Sequence, residues 1–331
     1  MTQGKASAPA KVILFGEHFV VYGNPAILAS INKRIFVEAR TTTMDNNEND
    51  ITIKSDIGVA GRYYDGGKFK MLGGGMEAKA VLDPLYNAIK QVLAIRNKNI
   101  GIEIDISSQV PPRIGLGSSA ASCVATIAAV DSLFNRDPSK QNICKLAVEA
   151  ERWVHKTTSG ADCYVSTFGG LIKYQSRSKA FKKLETIGPP ICLVVASTGV
   201  NHYTADLVAM VKRFRDRNHM LFGRLARRAN DICLQASSTL RSGNYEKTGK
   251  LMDENQNILR QIGVSHNKAE DLIEICSNAG ALGAKVTGAG GGGSIIALAG
   301  SKKESAKIAS RIRRAGYESF KVEIDNMGLD I

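Results

Sequence analysis

The chain has 331 residues, of which 44% are hydrophobic and 23% charged, with a formal net charge of +13. This composition is typical of a globular protein of two domains. No apolar run is long enough to span a bilayer, and strand-like sequence begins almost at once, so we expect neither a membrane segment nor a signal peptide. Six cysteines stand singly in apolar segments, which predicts reduced core thiols in a cytoplasmic protein and disfavours a disulfide framework or zinc site.

Part of the positive charge is concentrated between residues 212 and 228, in a predicted helical region. The basic residues there are Lys212, Arg213, Arg215, Arg217, Arg224, Arg227 and Arg228. Such a run is usually a solvated face, although it could attract anionic metabolites, nucleic acid or an acidic partner. The interleaving of aromatic and basic residues that stacks single-stranded bases is missing, so we expect no nucleic-acid partner.

The first block, Ala8–Gly23, places polar side chains in a segment that should otherwise be core. Val12 to Phe15 predict a buried strand. Lys11, Glu17 and His18 are three functional side-chain types; individually, Lys11 could be an edge-strand lysine and His18 a satisfied core histidine. Taken together, they are candidates for a polar pocket.

The next segment is predicted to contain strands and one helix. Ile31–Thr41 and Ile51–Lys54 are predicted strands, with a turn over Met44–Asp50 between them. Tyr63–Gly75 is glycine-rich and predicts an irregular surface loop, with a mobile lid as the alternative. Leu82–Arg96 has apolar residues at helical spacing.

Residues 111–121, here called the phosphate loop, contain two glycines and two serines between a predicted strand, Ile102–Ile106, and a predicted helix, Ala120–Phe134. The first turn of a helix has unpaired N–H groups and a partial positive charge, which favour a phosphate. Serine hydroxyls can contact phosphate or Mg²⁺. The loop lacks the lysine of a Walker A sequence, so an ammonium group must come from elsewhere. The alternative is an ordinary N-capped helix.

Two carboxylates follow the phosphate loop. A helix is predicted from Asp137 onward, and Glu151 flanks its apolar stripe, where it is expected to be half-buried. It could form a structural ion pair or hold a cation. Asp162 opens what we predict to be an apolar strand, where it is either a turn acid or a placed base.

The second half begins with a predicted domain boundary at Gly188-Pro189-Pro190, which divides the chain into residues 1–188 and 189–331. A central strand is predicted first, and the later predicted elements are helices within Tyr203–Thr239, Tyr245–Gln261, Asp271–Leu282 and Lys303–Arg314 and a strand at Ser319–Ile324. The glycine run, Gly288–Gly293, fits GxGxxG, but an apolar strand follows it where a dinucleotide site needs a helix. We expect this run to allow a close backbone approach.

These segments resemble a known family. Ala8–Gly23, Pro111–Ala121 and Lys285–Ser294, in this order, are similar to the three motifs of the GHMP kinases, which phosphorylate small metabolites with ATP. Two further blocks, Glu151–His155 and Ser159–Gly170, resemble the members of that family that act on mevalonate. The likeness covers nearly the whole chain.

The resemblance implies an α+β protein with a ribosomal protein S5 domain 2-like N-terminal domain and a ferredoxin-like C-terminal domain. It also implies ATP-dependent phosphorylation of the primary C5 hydroxyl of mevalonate with Mg²⁺, and a possible homodimer. In this view Asp162 takes the hydroxyl proton, Lys11 lies beside it, and Glu151 holds Mg²⁺ with Ser119. The ATP phosphates would contact Pro112, Gly115, Leu116, Gly117, Ser118, Ser119 and Ala120. Substrate contacts would be Glu17, His18, Thr204, Gly288, Ala289 and Gly290.

One position departs from the family pattern. Family members often have an arginine two residues before the threonine, where this chain has His202, and Lys173 could replace its charge. Phosphomevalonate kinase is the alternative activity, because a basic pocket would tolerate a phosphorylated substrate. A non-catalytic ligand sensor or an RNA-binding protein are alternatives of another class.

Overall fold

The computed structural model describes residues 2–42, 49–112, 114–155, 158–175, 177–178, 180–200 and 204–331, without the side chains of residues 154 and 155. Most of the predicted turn at 44–50 and His202 lie outside these residues. No helix in the described ranges is long and apolar enough to cross a bilayer.

The described residues form two sheets. The first has the order β5-β4-β3-β6-β2-β7-β8, and β1 pairs with β2 in antiparallel fashion outside this path. Its strands are β1 (Gln3–Phe15), β2 (Pro25–Thr41), β3 (Ile51–Ser55), β4 (Ala60–Tyr63), β5 (Phe69–Gly73), β6 (Ile102–Ser108), β7 (Leu171–Gln175) and β8 (Ala180–Lys183).

Helices α1 (Ala78–Ile95), α2 (Ser118–Ser132) and α4 (Ala161–Phe168) pack against the first sheet, and α3 (Lys140–His155) packs on these three helices. Helix α2 lies against β1 and β2 and is buried along most of its length. Small residues permit this close contact, since a Cβ at Gly4 would lie 2.1 Å from the Ala129 carbonyl oxygen. The C-terminal end of α2 is therefore held close to the start of β1.

The second sheet is antiparallel, with the order β10-β11-β9-β12. Its strands are β9 (Cys192–Ser197), β10 (Gly283–Thr287), β11 (Ser294–Ala299) and β12 (Ser319–Val322), and its helices are α5 (Thr204–Arg217), α6 (His219–Ser242), α7 (Tyr245–Gln261), α8 (Asn267–Asn278) and α9 (Lys302–Arg314). The glycine run connects β10 to β11. The boundary at residues 188–190 lies between the strands of the two sheets and stays a prediction.

Two predictions of local structure were wrong. Asp162 lies in helix α4, not in a strand, because a short apolar run does not distinguish a buried strand from a buried helix. Tyr63–Gly75 is not irregular, since β4 and β5 pair as a hairpin across it. The buried ring of Tyr63 stacks on Tyr86 of α1 with centroids 4.0 Å apart, which holds this hairpin on the helix.

The two sheets meet beside the phosphate loop. The Thr287 hydroxyl donates to the Ile13 carbonyl at 3.0 Å and accepts from the Ile13 N–H at 2.9 Å, which joins β10 to β1. The Ser294 hydroxyl donates to the Ile114 carbonyl at 2.8 Å. Both ends of the glycine run are therefore anchored to the first sheet and its loop.

Residues 323–331, here called the tail, return from β12 to the first sheet. Ser7 forms a β-bridge with Asp330, and buried Arg34 donates to the Gly328 carbonyl at 2.7 Å. The Leu329 N–H donates to the Thr167 carbonyl at 3.0 Å. The tail thus supports the end of α4, the helix that carries Asp162.

We predict that Gly328→Ala lowers the free energy of unfolding more than Gly316→Ala. Both glycines have positive φ, 68° and 86°, so alanine costs about 1 kcal/mol at each. A Cβ at Gly328 would also lie 2.5 Å from the Thr167 carbonyl oxygen, whereas one at Gly316 meets nothing within 4 Å. Overpacking should add about 1–3 kcal/mol at Gly328 alone, as measured by urea unfolding. Equal losses would contradict this account of the tail.

Candidate active site

A buried lysine and a partly exposed aspartate form the centre of the site. Lys11 lies within β1 with 4% of its side chain exposed, and its Nζ is 3.1 Å from Oδ2 of Asp162, which is 32% exposed. The Lys11 N–H also donates to the Leu116 carbonyl at 2.9 Å. One residue therefore brings β1, the phosphate loop and α4 together, and it presents an ion pair at the protein surface.

The phosphate loop lies directly on the Lys11 side chain. A Cβ at Gly117 would be 2.7 Å from Lys11 Cε, and Gly117 has φ 71°, so this position requires glycine for space and for conformation. Gly117 also precedes the first residue of α2 and supplies no side-chain cap. The serines are therefore not the helix cap, and the N–H groups of the first turn of α2 remain available to an anion.

The proposed phosphate contacts surround this helix start. Ser118 and Ser119 are the first two residues of α2, two residues earlier than the predicted start, and Ser119 is exposed. Pro112 is exposed, while Leu116 and Ala120 are buried, so the latter two could contact a nucleotide only through the backbone. Arg113 lies outside the described residues.

Glu151 is more buried than the sequence predicted. It lies on α3 with 7% of its surface exposed, and Thr158 Oγ1 donates to its Oε2 at 3.2 Å. Burial raises the pKa of Glu151 to about 7, and the nearby Asp162 carboxylate adds to the rise; the side chains of Cys163 and Thr158 and the Lys11 ammonium oppose it. Glu151 therefore belongs to the same electrostatic cluster as Lys11 and Asp162.

This cluster suits a hard divalent cation held partly by a nucleotide. The raised pKa of Glu151 shows that its negative charge is not fully compensated by its protein neighbours. Within the described ranges, no three side chains of the His, Cys, Asp and Glu types form a metal cluster by themselves. Mg²⁺ commonly takes one or two protein oxygens and completes its shell with phosphate and water. The Ser119 hydroxyl and Glu151 carboxylate are oxygen donors of this kind.

The loop after β1 is tied to the second sheet. Glu17 is 1% exposed and forms an ion pair with Lys285 of β10, and His18 Nε2 donates to the Ala289 carbonyl at 2.8 Å. Burial lowers the pKa of His18, which favours the neutral imidazole. A lysine within an apolar strand is unusual, so the sequence itself marks Lys285 as a residue that needs a buried partner.

The glycine run lies against both the loop after β1 and the phosphate loop. A Cβ at Gly288 would be 3.2 Å from the Gly115 carbonyl oxygen, and one at Gly290 would be 2.2 Å from the Val264 carbonyl oxygen. Ala289 receives the hydrogen bond from His18. In contrast, Thr204 is exposed at the start of α5, and among the described contacts none joins it to this cluster.

Two family descriptions match the chain. Residues 83–170 match the GHMP kinases N terminal domain, and residues 236–318 match the GHMP kinases C terminal domain. The chain belongs to the GHMP kinase family, and the α+β two-domain fold implied by the resemblance is confirmed.

Several of the similar proteins are mevalonate kinases. The chain is 41% identical to the mevalonate kinase of Pyrococcus furiosus, over 98% of this chain and 97% of that protein. It is 40% identical to the mevalonate kinase of Thermococcus gammatolerans, with the same coverage. A crystal structure of L. major mevalonate kinase in complex with R-mevalonate superimposes with a TM-score of 0.82 at 29% identity, covering 98% of this chain and 97% of that one.

We predict that Glu151 makes the ligand-free protein less stable as the pH rises. Since burial raises the pKa of Glu151 from its ordinary value of 4.5 to about 7, the folded state retains a proton that the unfolded chain releases between these pH values. The free energy of unfolding should therefore fall across this window, by up to about 3 kcal/mol above it. Glu151→Gln should abolish that part of the fall.

Urea unfolding from pH 5 to 8, in EDTA and without nucleotide, measures this effect. Glu149→Gln is the matched control, because Glu149 is exposed on the same helix. Parallel stability curves for the two variants would contradict the assignment.

Proposed function

We propose that this protein transfers the γ-phosphoryl group of ATP to the primary C5 hydroxyl of mevalonate, giving 5-phosphomevalonate. The observation that carries the proposal is the Lys11–Asp162 pair beside the phosphate loop, in a chain related over nearly its full length to mevalonate kinases. Family membership implies ATP as the phosphoryl donor.

The phosphate loop would hold the nucleotide. The N–H groups at the start of α2 and the backbone of Gly115 to Ser119 offer donors and a partial positive charge to the phosphate oxygens. Phosphoryl transfer depends mainly on positioning and charge neutralisation, so a phosphate loop held in a fixed position is the main requirement. The contacts of Gly117 with Lys11 and of Gly288 with Gly115 hold the phosphate loop in this position.

Ser119 and Glu151 would hold Mg²⁺, which neutralises phosphate charge during transfer. The Ser119 hydroxyl is exposed at the first turn of α2, where it can reach a nucleotide-bound ion. Glu151 must be ionised to act as a ligand, and a bound cation would favour that form. Thr158 donates to one Glu151 oxygen and helps to orient the carboxylate.

Asp162 would accept the proton of the attacking hydroxyl. Its carboxylate is partly exposed, so a substrate can reach it, and it occupies the first turn of α4. The Lys11 ammonium, 3.1 Å away, would stabilise negative charge as the hydroxyl becomes an alkoxide. The pair therefore supplies a base and an electrostatic stabiliser in one place.

The substrate would lie near His18 and the backbone of Gly288–Gly290, with Thr204 as a further contact. His18 is neutral and its Nε2 is engaged with Ala289, which leaves Nδ1 as a potential acceptor for a substrate hydroxyl. Both oxygens of the Glu17 carboxylate already have protein partners, Lys285 and Asn255.

We also propose a cytoplasmic location and a homodimer. All six cysteines are buried and unpaired, which suits a reducing compartment. The homodimer rests on the family resemblance alone, and light scattering of the purified protein would measure it.

We expect the purified enzyme to release ADP with mevalonate and not with phosphomevalonate, homoserine or galactose. A coupled ADP assay over these four acceptors, with and without Mg²⁺, measures the preference. If the enzyme turned over phosphomevalonate and not mevalonate, the proposed activity would be wrong and phosphomevalonate kinase would take its place. ATP binding without turnover of any acceptor would favour the sensor alternative.

We expect Asp162→Asn to lower kcat by about 10²–10⁴-fold with little change in ATP affinity, because the variant loses the base and keeps the side-chain volume. Asp83→Asn is the matched control: Asp83 is 33% exposed and paired with Lys79, and it lies on α1 outside the cluster. Steady-state kinetics and nucleotide titration measure the two effects. A kcat close to that of the control would remove Asp162 from the mechanism.

A further inference from the structure

A fully buried ion pair joins the two sheets behind the candidate site. Lys285 of β10 and Glu17, which follows β1, both have side chains that are 0% exposed. Glu17 Oε1 accepts from Lys285 Nζ, and Glu17 Oε2 accepts from Asn255 Nδ2 at 3.5 Å. Lys285 Nζ also donates to the Val286 carbonyl at 2.7 Å. Solvent and substrate therefore have no access to either charge in this conformation.

The Lys285–Glu17 pair is not well explained by its contribution to the stability of the folded protein. Burial raises the pKa of Glu17 and lowers the pKa of Lys285, and each partner opposes the shift of the other. Replacing a buried ion pair by apolar residues is often neutral or stabilising, because the desolvation cost offsets the attraction. The pair is better explained by what it holds in position.

The pair holds a backbone segment with an unfavourable conformation. His18, next to Glu17, has φ 59°, which costs a non-glycine residue about 1–2 kcal/mol, and Gly16 on the other side has φ 96°. Two consecutive side chains fasten this segment to one stretch of the second sheet. Glu17 binds Lys285 at the start of that stretch, and His18 binds Ala289 in the glycine run.

The pair is also connected to the candidate site through β1. Lys11 lies within this strand, and Glu17 follows its last residue, Phe15, by two positions. A shift of the segment that Glu17 holds would therefore act on the strand that carries Lys11.

We propose that Lys285 and Glu17 are positioning residues for phosphoryl transfer, because their buried pair fixes His18 against the glycine run. Glu17 then acts through the loop that it holds and not as a direct substrate contact. The inference rests on the proposed function for its kinetic measurement, but the geometry of His18 can be measured without it.

A double-mutant cycle with Lys285→Met, Glu17→Gln and the combined variant tests the pair. We expect Lys285→Met to lower kcat/KM for mevalonate by about 10²-fold, the size of effect that follows from displaced reacting groups. Because both residues act through one contact, the combined variant should lose no more than the worse single variant. Losses that multiply would overturn the proposal.

A second ion pair provides the control. Arg96, which follows α1, pairs with Asp131 at the end of α2 opposite the phosphate loop, so Arg96→Met with Asp131→Asn should lower the melting temperature without changing kcat of the folded enzyme. An effect of Lys285→Met that is likewise confined to the melting temperature would overturn the proposal.

The imidazole ¹H–¹⁵N resonances of His18 supply a measurement that does not depend on the substrate. We expect them to shift in Lys285→Met and Glu17→Gln and to stay unchanged in the Arg96 and Asp131 control. If Lys285→Met fails to fold, Glu17→Gln alone must give the shift. Unchanged resonances overturn the positioning role. Wild-type protein that is inactive on mevalonate while these shifts occur would instead overturn the proposed function.

Discussion

The candidate site depends on a lysine ammonium buried in the middle of a strand. Isolated buried charge is costly, so Lys11 needs an anionic partner, and Asp162 supplies it at 3.1 Å. The same side chain lies beneath Gly117, and the backbone N–H of Lys11 donates to the Leu116 carbonyl. Helices α2 and α4 are thereby placed around one residue of β1. The positions of the phosphate loop and of Asp162, the candidate base, therefore follow from the need to compensate the buried Lys11 ammonium.

The second sheet completes the site by covering it. The glycine run approaches the phosphate loop at Gly115, and hydrogen bonds from Thr287 and Ser294 anchor its two ends. Positive φ values and close backbone contacts at Gly288 and Gly290 explain why this connection contains glycine and not a longer polar loop. A connection with side chains at these positions would hold the sheets apart. The glycines at these positions thus permit close packing of the two sheets beside the phosphate loop.

The sequence predicted the parts of the site that depend on local pattern. The helix after the phosphate loop and the strands on either side of the glycine run follow from periodicity and glycine placement. The helix at Asp162 could not be distinguished from a strand, because its apolar residues do not favour one period. The Lys285–Glu17 pair joins residues that are distant in the chain, and no local pattern indicates which carboxylate a buried lysine meets. The roles proposed for the site residues remain predictions.

The contact between Gly117 and Lys11 has a consequence for protein engineering. Since any Cβ at Gly117 would collide with the lysine chain, neither position can be enlarged unless the other is changed as well. The phosphate loop therefore cannot be transferred to another protein as an isolated segment. Grafting it onto a different scaffold would require transplanting the opening strand together with it, although the two segments are far apart in the chain.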